Sequence, residues 1–176
     1  IPKGWEVVKF SKNGNVGSGK RPMEKNDTQT FEYQVPCYGS SKIDGFVKEA
    51  LFEKPLLITG RVGTLGVVNR SSVPCYPSDN TLIVLIENKI YFEYAFYCLK
   101  QIDFNLFNRG TSQPLIVQSD IGDELILFPP ENYLERFHKI SENIFKKFDQ
   151  NINQIKNLIK ISDSLLPKLM SGEIVN

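Results

Sequence analysis

The C-terminal part of the chain is an uninterrupted helix-forming segment, and it constrains the fold more than any other feature of the sequence. Pro129 and Pro130 end an aromatic-rich region, and residues 131–166 then contain neither proline nor glycine before Pro167. A helix over residues 131–165 would be about 50 Å long at roughly 1.5 Å per residue. Because one small domain cannot cover that length, the sequence predicts a single long helix with a packing partner.

Apolar residues in this segment recur at alternating steps of three and four, which is the heptad pattern of a coiled coil. Polar residues and lysines occupy the other faces of the predicted helix. The helix cannot bury this seam by itself, so we predict that a second helix covers it. The predicted dimerisation residues are Phe145, Phe148, Ile152, Ile155, Ile159 and Leu166.

The length and charge of the chain limit the classes of function. The 176 residues leave room for one domain of ordinary size besides the helix. A formal net charge of +1 argues against a uniformly basic nucleic-acid binder. A local basic patch is still compatible with the sequence, because six lysines and arginines face only two glutamates within residues 1–26.

Cysteine usage and hydropathy indicate a cytoplasmic protein without a membrane partner. Cys37, Cys75 and Cys98 lie far apart and lack CxxC spacing, so they suggest neither a disulfide framework nor a zinc site. No apolar run reaches the roughly 18 to 20 residues that a membrane span needs, and no secretory signal opens the chain. The chain begins with isoleucine, which is compatible with a piece of a longer protein or a processed product.

Residues 5–128 consist of short β-like runs separated by Gly, Pro, Ser and Asn. Residues 91–102 repeat apolar side chains at helical spacing and predict a short helix packed on a sheet. The predicted strands are residues 6–10, 36–38, 56–59, 66–68, 81–86 and 125–128. The predicted fold class is therefore α+β, with a mixed, irregular α/β domain over residues 1–130 followed by one long coiled-coil helix within residues 131–176.

Two short motifs point to phosphate or metal chemistry, and neither is complete. Residues 14–20 have the glycine and lysine spacing of a phosphate-binding loop, but Arg21 stands where a serine or threonine must reach magnesium. Asp79, Glu87 and Lys89 resemble a nuclease metal site, although Glu87 and Lys89 are better explained as a solvated turn at the end of a strand. The sequence therefore predicts no metal and no cofactor.

Acid–base and methyl-transfer chemistry have equally weak support. Phe128-Pro129-Pro130 resembles the loop of amino-methyltransferases, but phenylalanine replaces the polar residue that binds the target amine. His138 is the only histidine, and it falls on the long helix, where we expect it to face a neighbour or water. Without a histidine in the globular part, a Ser–His or Cys–His pair cannot form there. We therefore predict a binding protein that is not an enzyme.

Three loops combine glycine with side chains that can reach a ligand, namely residues 38–46, 60–66 and 108–114. Glycine lets the backbone approach a partner closely, and the Arg, Lys, Ser, Thr, Asn and Gln side chains can bond phosphate oxygens or base edges. Each loop taken alone is more typical of a tight turn with a solvated tip. Their occurrence together favours a binding surface.

Several separated strings also resemble one protein family. Ile1-Pro2-Lys3-Gly4-Trp5 resembles the opening of a target recognition domain, and the three loops are similar, in order, to its recurrent loops. Residues 165–174 resemble the end of a conserved helical region. The family is the DNA-specificity subunit of type I restriction-modification systems, and the resemblance spans nearly the whole chain.

The resemblance implies an architecture and a set of partners. In the family, two target recognition domains alternate with two helical regions that pair antiparallel as a spacer. This chain shows one of each, so the resemblance implies either a half-subunit or the C-terminal half of a longer chain. The implied partners are double-stranded DNA, the methyltransferase subunits with the restriction subunit bound through them, and a second helical region in cis or from a second copy. Catalysis then belongs to the partner subunits.

Loop chemistry nominates the residues that contact DNA, since arginine suits guanine and glutamine suits adenine in the major groove. The candidates at or near base edges are Arg61, Lys42, Ser112 and Gln113. The candidates at phosphates are Lys20, Arg21, Ser40, Ser41, Thr64, Arg70 and Arg109, and Tyr38 and Thr111 complete the predicted DNA-binding set.

Two alternatives stay open at the level of sequence. For Arg61, the alternative to base reading is a solvated side chain or an ion pair with Glu49 or Glu53. For the whole chain, the alternative function is a coiled-coil assembly protein whose globular part does not read DNA.

Overall fold

The computed structural model describes residues 1–71, 74–110 and 112–173. Its strands are β1 (Glu6–Lys9), β2 (Asn15–Ser18), β3 (Val35–Tyr38), β4 (Ile43–Val47), β5 (Leu56–Gly60), β6 (Val68–Ser71), β7 (Tyr76–Pro77), β8 (Thr81–Leu85) and β9 (Leu125–Phe128). Its helices are α1 (Lys89–Gln101), α2 (Gln118–Gly122) and α3 (Glu131–Met170), with 3-10 turns at Phe10–Lys12 and Phe104–Phe107. The fold class is α+β, as predicted.

The strands form three small sheets, of which the largest is antiparallel with the order β2-β8-β5-β6. A second sheet has the order β4-β3-β7, and β1 pairs with β9. Every residue of β5 is buried, because both faces of the largest sheet are covered. Side chains alternate between the faces of a strand, so Leu57 packs in the core with α1, whereas Leu56 and Ile58 pack with Tyr38 and Cys75.

Helix α1 lies between the largest sheet and α3. Its buried face consists of Tyr91, Ala95 and Leu99, which belong to the same core as Leu57. Its other side carries Phe96 and Tyr97, whose rings lie 5.5 and 6.0 Å from the ring of Phe145 on α3. The first half of α3 is therefore docked on the globule through α1.

The second half of α3 extends away from the globule. All side chains over residues 150–173 are exposed. With 40 residues, α3 is about 60 Å long. The outer half thus carries its apolar residues without cover from any part of the chain that the structure describes.

The C-terminal end of α3 differs from the prediction, since the helix continues past Pro167 to Met170. Proline lacks the N–H that bonds the carbonyl four residues earlier, so it usually kinks or ends a helix. Here it sits in the last turn and on an exposed surface. Bonds from Ser171 N to Pro167 O (2.9 Å) and from Glu173 N to Lys168 O (3.0 Å) close the end, and Gly172 adopts a φ of 74°.

The remaining differences concern short elements. The predicted strand at 66–68 is shifted to 68–71, because Gly66 has a φ of 79° and belongs to a turn. β2, β4, β7 and α2 were not predicted, and β2 and β4 contain glycine and polar residues rather than an alternating apolar pattern. β2 and β4 form because neighbouring strands supply their hydrogen bonds. Among the described residues, no helix is long and apolar enough to cross a membrane.

Candidate nucleic-acid interface

One edge of the largest sheet collects the polar loops. Strands β2 and β5 end at this edge and β8 and β6 begin there, as the pairs Ser18–Leu82, Gly60–Thr81 and Thr59–Val68 show. The segments that follow or precede these strand ends must therefore emerge side by side. We term residues 18–21, 39–42, 61–66, 108–110 and 112–118 the loop edge.

The first two predicted loops are in direct contact. A Cβ atom added to Gly60 would lie 2.0 Å from the carbonyl oxygen of Thr64 and 2.7 Å from that of Ser40, so only glycine fits at this position. Asn69 Nδ2 also donates to Ser41 O over 3.2 Å. Gly60 is buried, and the close approach that it permits is to the neighbouring loop and not to an external ligand.

The third loop is bonded to the second by its backbone. Gly63 N donates to Pro114 O over 2.9 Å, and Ile116 N donates to Arg61 O over 3.0 Å. Gly63 has a φ of 82°, which an L side chain rarely adopts. The side chain of Asn108 holds the loop closed by accepting from Gly110 N and Leu115 N, each at 3.0 Å.

The N-terminal basic segment reaches the same edge. Gly19 N donates to Thr81 O over 3.1 Å, and Lys20 N donates to Pro77 O over 3.0 Å. Tyr76 Oη donates to Arg21 O over 3.3 Å. The fold thus brings four segments, separated by up to about ninety residues of sequence, to one surface.

Most of the predicted DNA-binding side chains lie on this surface and are accessible. Four of its cations make no ion pair with any residue that the structure describes, and these are Lys20, Arg21, Lys42 and Arg61. Thr64, Ser112 and Gln113 are exposed, and Ser40 and Ser41 are half-buried. Thr111 lies outside the described residues. Unpaired cations with neighbouring hydroxyl and amide groups form a surface suited to anionic ligands.

Arg109 is on the loop edge but is already engaged. Its guanidinium donates to Asp120 Oδ1, and the other carboxylate oxygen of Asp120 accepts from Val117 N over 2.8 Å. Asp120 is buried, whereas the Arg109 side chain remains largely exposed. This pair therefore fixes the third loop to α2 and leaves part of the guanidinium free to donate outwards.

Arg70 and Tyr38 are not on the loop edge. Arg70 lies in β6 opposite Leu57, where its Nη2 donates to Asp149 Oδ1 over 2.5 Å and its Cζ lies 4.4 Å from the ring centroid of Phe145. The Tyr38 side chain is buried, and burial raises the pKa of its hydroxyl. Both side chains serve packing between elements of the chain, so the geometry gives neither of them access to DNA.

Arg61 leaves the end of β5 and lines an open cavity of about 330 Å³. The cavity is also lined by Ser18, Val117, Gln118 and Ser119. Arg61 does not pair with Glu49 or Glu53, the two carboxylates that its sequence neighbourhood offered. Ser18 and Gln118 were missed by sequence reasoning, because a polar residue at a strand end or a loop carries no signal of its own.

The predicted dimerisation residues divide into two groups. Phe145 packs against Phe96 and Tyr97 of α1, so it belongs to the docking of α3 within the chain. The others are 37% to 57% exposed on the outer half of α3, and we term them the apolar face of α3: Phe148, Ile152, Ile155, Ile159 and Leu166.

A second cavity, of about 720 Å³, lies between the opposite edge of the sheet and α3. His138 on α3 faces Glu93 on α1 here, with Nδ1 and Oε2 separated by 2.6 Å. Asp79 and Glu87 lie at opposite ends of β8, so they cannot share a metal ion. Among the described residues, no group of His, Cys, Asp or Glu side chains has the geometry of a metal site.

The arrangement of an irregular α/β globule on one long helix matches known structures of specificity subunits. The S subunit of the type I restriction-modification system from M. genitalium superposes with a TM-score of 0.71 at 18% identity, over 97% of this chain and 46% of that chain. The HsdS subunit from Thermoanaerobacter tengcongensis gives 0.54 at 13% identity, over 96% and 45%. These similarities establish the class of fold.

Sequence similarity then gives the family. The family described as type I restriction modification DNA specificity domain matches residues 2–162, and the chain belongs to this family. It is 29% identical to the type I restriction enzyme MjaIX specificity subunit of Methanocaldococcus jannaschii, over 99% of this chain and 45% of the relative. It is 31% identical to the EcoprrI specificity subunit of Escherichia coli, over 90% and 38%. The chain thus spans less than half the length of these relatives.

Proposed function

We propose that this chain is the half of a type I restriction-modification specificity subunit that reads one half-site in double-stranded DNA. The observation that carries the proposal is the loop edge, where Lys20, Arg21, Lys42 and Arg61 form no ion pair with any residue that the structure describes. A chain with a net charge of only +1 gains an anion-binding surface when its cations gather at one edge and stay unpaired. Loop backbones bonded to one another hold these side chains in place before DNA arrives.

The proposal divides the chain into a reading part and an assembly part. Residues 1–130 form the target recognition domain, and residues 131–176 form the helical spacer. The apolar face of α3 pairs with a second helical region, which is supplied either in cis by the rest of a longer chain or by a second copy. The exposure of that face over the outer half of α3 supports this pairing, since an apolar seam of this length is costly to leave in water.

The subunit has no catalytic step of its own in this proposal. It acts in the cytoplasm, docks methyltransferase subunits and, through them, the restriction subunit, and it sets where they act on DNA. The alternative function, a coiled-coil assembly protein that does not read DNA, uses the same helix but gives the free cations of the loop edge no role.

Salt dependence of DNA binding separates the two functions. Each phosphate contact contributes about −0.9 to the slope of log affinity against log salt concentration. We expect the chain to bind duplex DNA weakly, with a steep slope. Lys20→Ala with Arg21→Ala should reduce that slope by the contribution of up to two phosphate contacts. The matched control is Arg136→Ala with Lys139→Ala, which removes the same charge from exposed positions on α3.

The outcomes are distinct. A slope that flattens in the loop-edge variant but not in the control supports the proposal. Equal slopes in both variants would show that residues 20 and 21 do not contact phosphates. No affinity for DNA at low salt, with self-association intact, would establish the assembly protein instead.

A further inference from the structure

The cavity beside Arg61 contains a second side chain with the chemistry to read a base. Gln118 is exposed at the start of α2, and its Nε2 donates to Ser18 Oγ over 2.9 Å. This bond joins residues that are 100 positions apart in sequence, so it holds the carboxamide at one place on the loop edge. We propose that Gln118 is a specificity-determining residue that reads a base edge next to the one read by Arg61, an inference that rests on the proposed DNA-binding function.

The backbone around the cavity is fixed on both sides. Arg61 N donates to Asn80 O over 2.8 Å, and Arg61 O accepts from Ile116 N over 3.0 Å. On the other side, the buried Asp120 carboxylate bonds Val117 N and the Arg109 guanidinium, which anchors the residue before Gln118. Because Arg61 and Gln118 leave fixed backbone and line one cavity, we expect them to contact adjacent base pairs, which are stacked about 3.4 Å apart.

The two side chains have complementary hydrogen-bonding chemistry. Arg61 offers only donors, which suits O6 and N7 of guanine. Gln118 uses one N–H of its amide on Ser18, and it retains a second N–H and the Oε1 acceptor. That pair of groups suits N7 and the N6 amino group of adenine in the major groove. The expected readout is therefore a guanine and an adenine in adjacent base pairs.

Ser18 is a positioning residue in this arrangement. It contacts Gln118 rather than the base, and without it the glutamine side chain would sample other rotamers. Ser18→Ala should therefore weaken discrimination at the base pair that Gln118 reads and leave the other positions unchanged. If Ser18 had only a structural role, Ser18→Ala would weaken binding to all sequences alike.

The test uses the full chain and a pool of duplexes with a randomised central segment at low salt. Sequences enriched by the unmodified chain define the preferred duplex, and a panel of single-base variants of that duplex is then titrated with each protein. Gln118→Ala should lose about 5- to 150-fold in affinity for the preferred duplex and little for random DNA. The base pair at which Gln118→Ala relaxes the preference should adjoin the base pair at which Arg61→Ala relaxes it.

Two controls and a double variant complete the design. Gln150→Ala removes an exposed glutamine from α3, and it should leave every titration unchanged. Thermal unfolding of Gln118→Ala should match that of the unmodified chain, since the side chain is exposed. The double variant of Arg61 and Gln118 should lose less than the product of the two single losses, because the residues act at one site.

The inference and the proposed function fail in different ways. If the unmodified chain enriches a sequence but Gln118→Ala weakens all duplexes equally, or weakens none, Gln118 reads no base and only the inference is wrong. Relaxation more than one base pair from the Arg61 position would also overturn it. If the unmodified chain neither enriches a sequence nor binds DNA at low salt, the proposed function itself is wrong.

Discussion

Replacing Arg70 should loosen the attachment of α3 to the globule. We term the contact of Arg70 with Phe145 and Asp149 the Arg70 clamp, and it joins β6 to the middle of α3. The Arg70 side chain is only 14% exposed and that of Asp149 is 32% exposed, so neither charge is fully screened by water. We therefore expect Arg70→Ala to destabilise the docked helix rather than to weaken DNA binding.

The magnitude follows from the two contacts of the guanidinium. A cation over an aromatic ring contributes about 0.5 to 1 kcal/mol at exposed sites and about 2 kcal/mol when desolvated, and this partly buried case should lie near 1 kcal/mol. The ion pair should add about 1 kcal/mol, the upper end of the range for pairs in contact with water. Arg70→Ala should therefore lower the free energy of unfolding by about 2 kcal/mol, which corresponds to a loss of about 4 to 8 °C in melting temperature for a chain of this size.

The single tryptophan offers a local probe for this experiment. Trp5 lies 6.0 Å from the ring of Tyr133 at the start of α3, so its fluorescence should report helix docking during urea unfolding. Arg136→Ala, on an exposed part of the same helix, is the control and should change stability by less than about 0.5 kcal/mol. A double-mutant cycle of Arg70→Ala and Asp149→Asn isolates the pair. A coupling energy near zero, or a loss of DNA affinity equal to that of Lys20→Ala with Arg21→Ala, would refute the assignment of Arg70 as a clamp.

Two further predictions concern assembly and pH. Ile152→Asp with Ile155→Asp should convert a concentration-dependent dimer into a monomer, as measured by light scattering, because both residues lie on the apolar face of α3. The control is Asn153→Asp with Asn157→Asp, which adds the same charge outside the seam. If the unmodified chain is monomeric at all concentrations, the predicted pairing is wrong. Burial raises the pKa of the Cys37 and Cys98 thiols from 9.0 to about 11. The unfolded chain then ionises these thiols first, so the stability they contribute is complete below pH 9 and is lost as the pH rises towards 11. Urea unfolding at pH 8 and pH 10 should show this loss, and Cys37→Ala with Cys98→Ala should reduce it; an equal loss in both proteins would assign it to other groups.

The long helix was predictable because its signals are local. Heptad spacing and the absence of proline and glycine act within a few turns, and the helix indeed begins at Glu131 directly after Pro130. The predicted end came too early, because an exposed proline in the last turn removes one backbone hydrogen bond without ending the helix. β2 and β4 were missed for the opposite reason, since their pairing partners, not their own side chains, decide that they are strands.

The segments of the loop edge were recognisable from the sequence, but the pairing of their side chains was not. Glycine and polar residues mark the loops at 38–46, 60–66 and 108–114, and the fold brings all three to one edge. Whether a particular cation in or near them is free depends on a partner elsewhere in the chain. Asp149, which pairs with Arg70, is 79 residues away in the sequence, so no local pattern predicts this pair.

Arg61 and Arg70 show how strand pairing decides the availability of otherwise identical side chains. β5 and β6 are antiparallel neighbours, with Arg70 opposite Leu57 and Arg61 directly after Gly60. Leu57, which lies opposite Arg70, and Arg61 are four residues apart, so the two arginine side chains leave the sheet about 13 Å apart along the strand direction. Arg70 meets α3 and pairs with Asp149 there, whereas Arg61 meets loops and forms no ion pair within residues 1–71, 74–110 and 112–173. Because the same pair of strands carries both arginines, the Arg70 clamp and the loop edge that presents Arg61 belong to one sheet, and loosening the clamp should change the orientation of the outer half of α3 before it changes the position of Arg61.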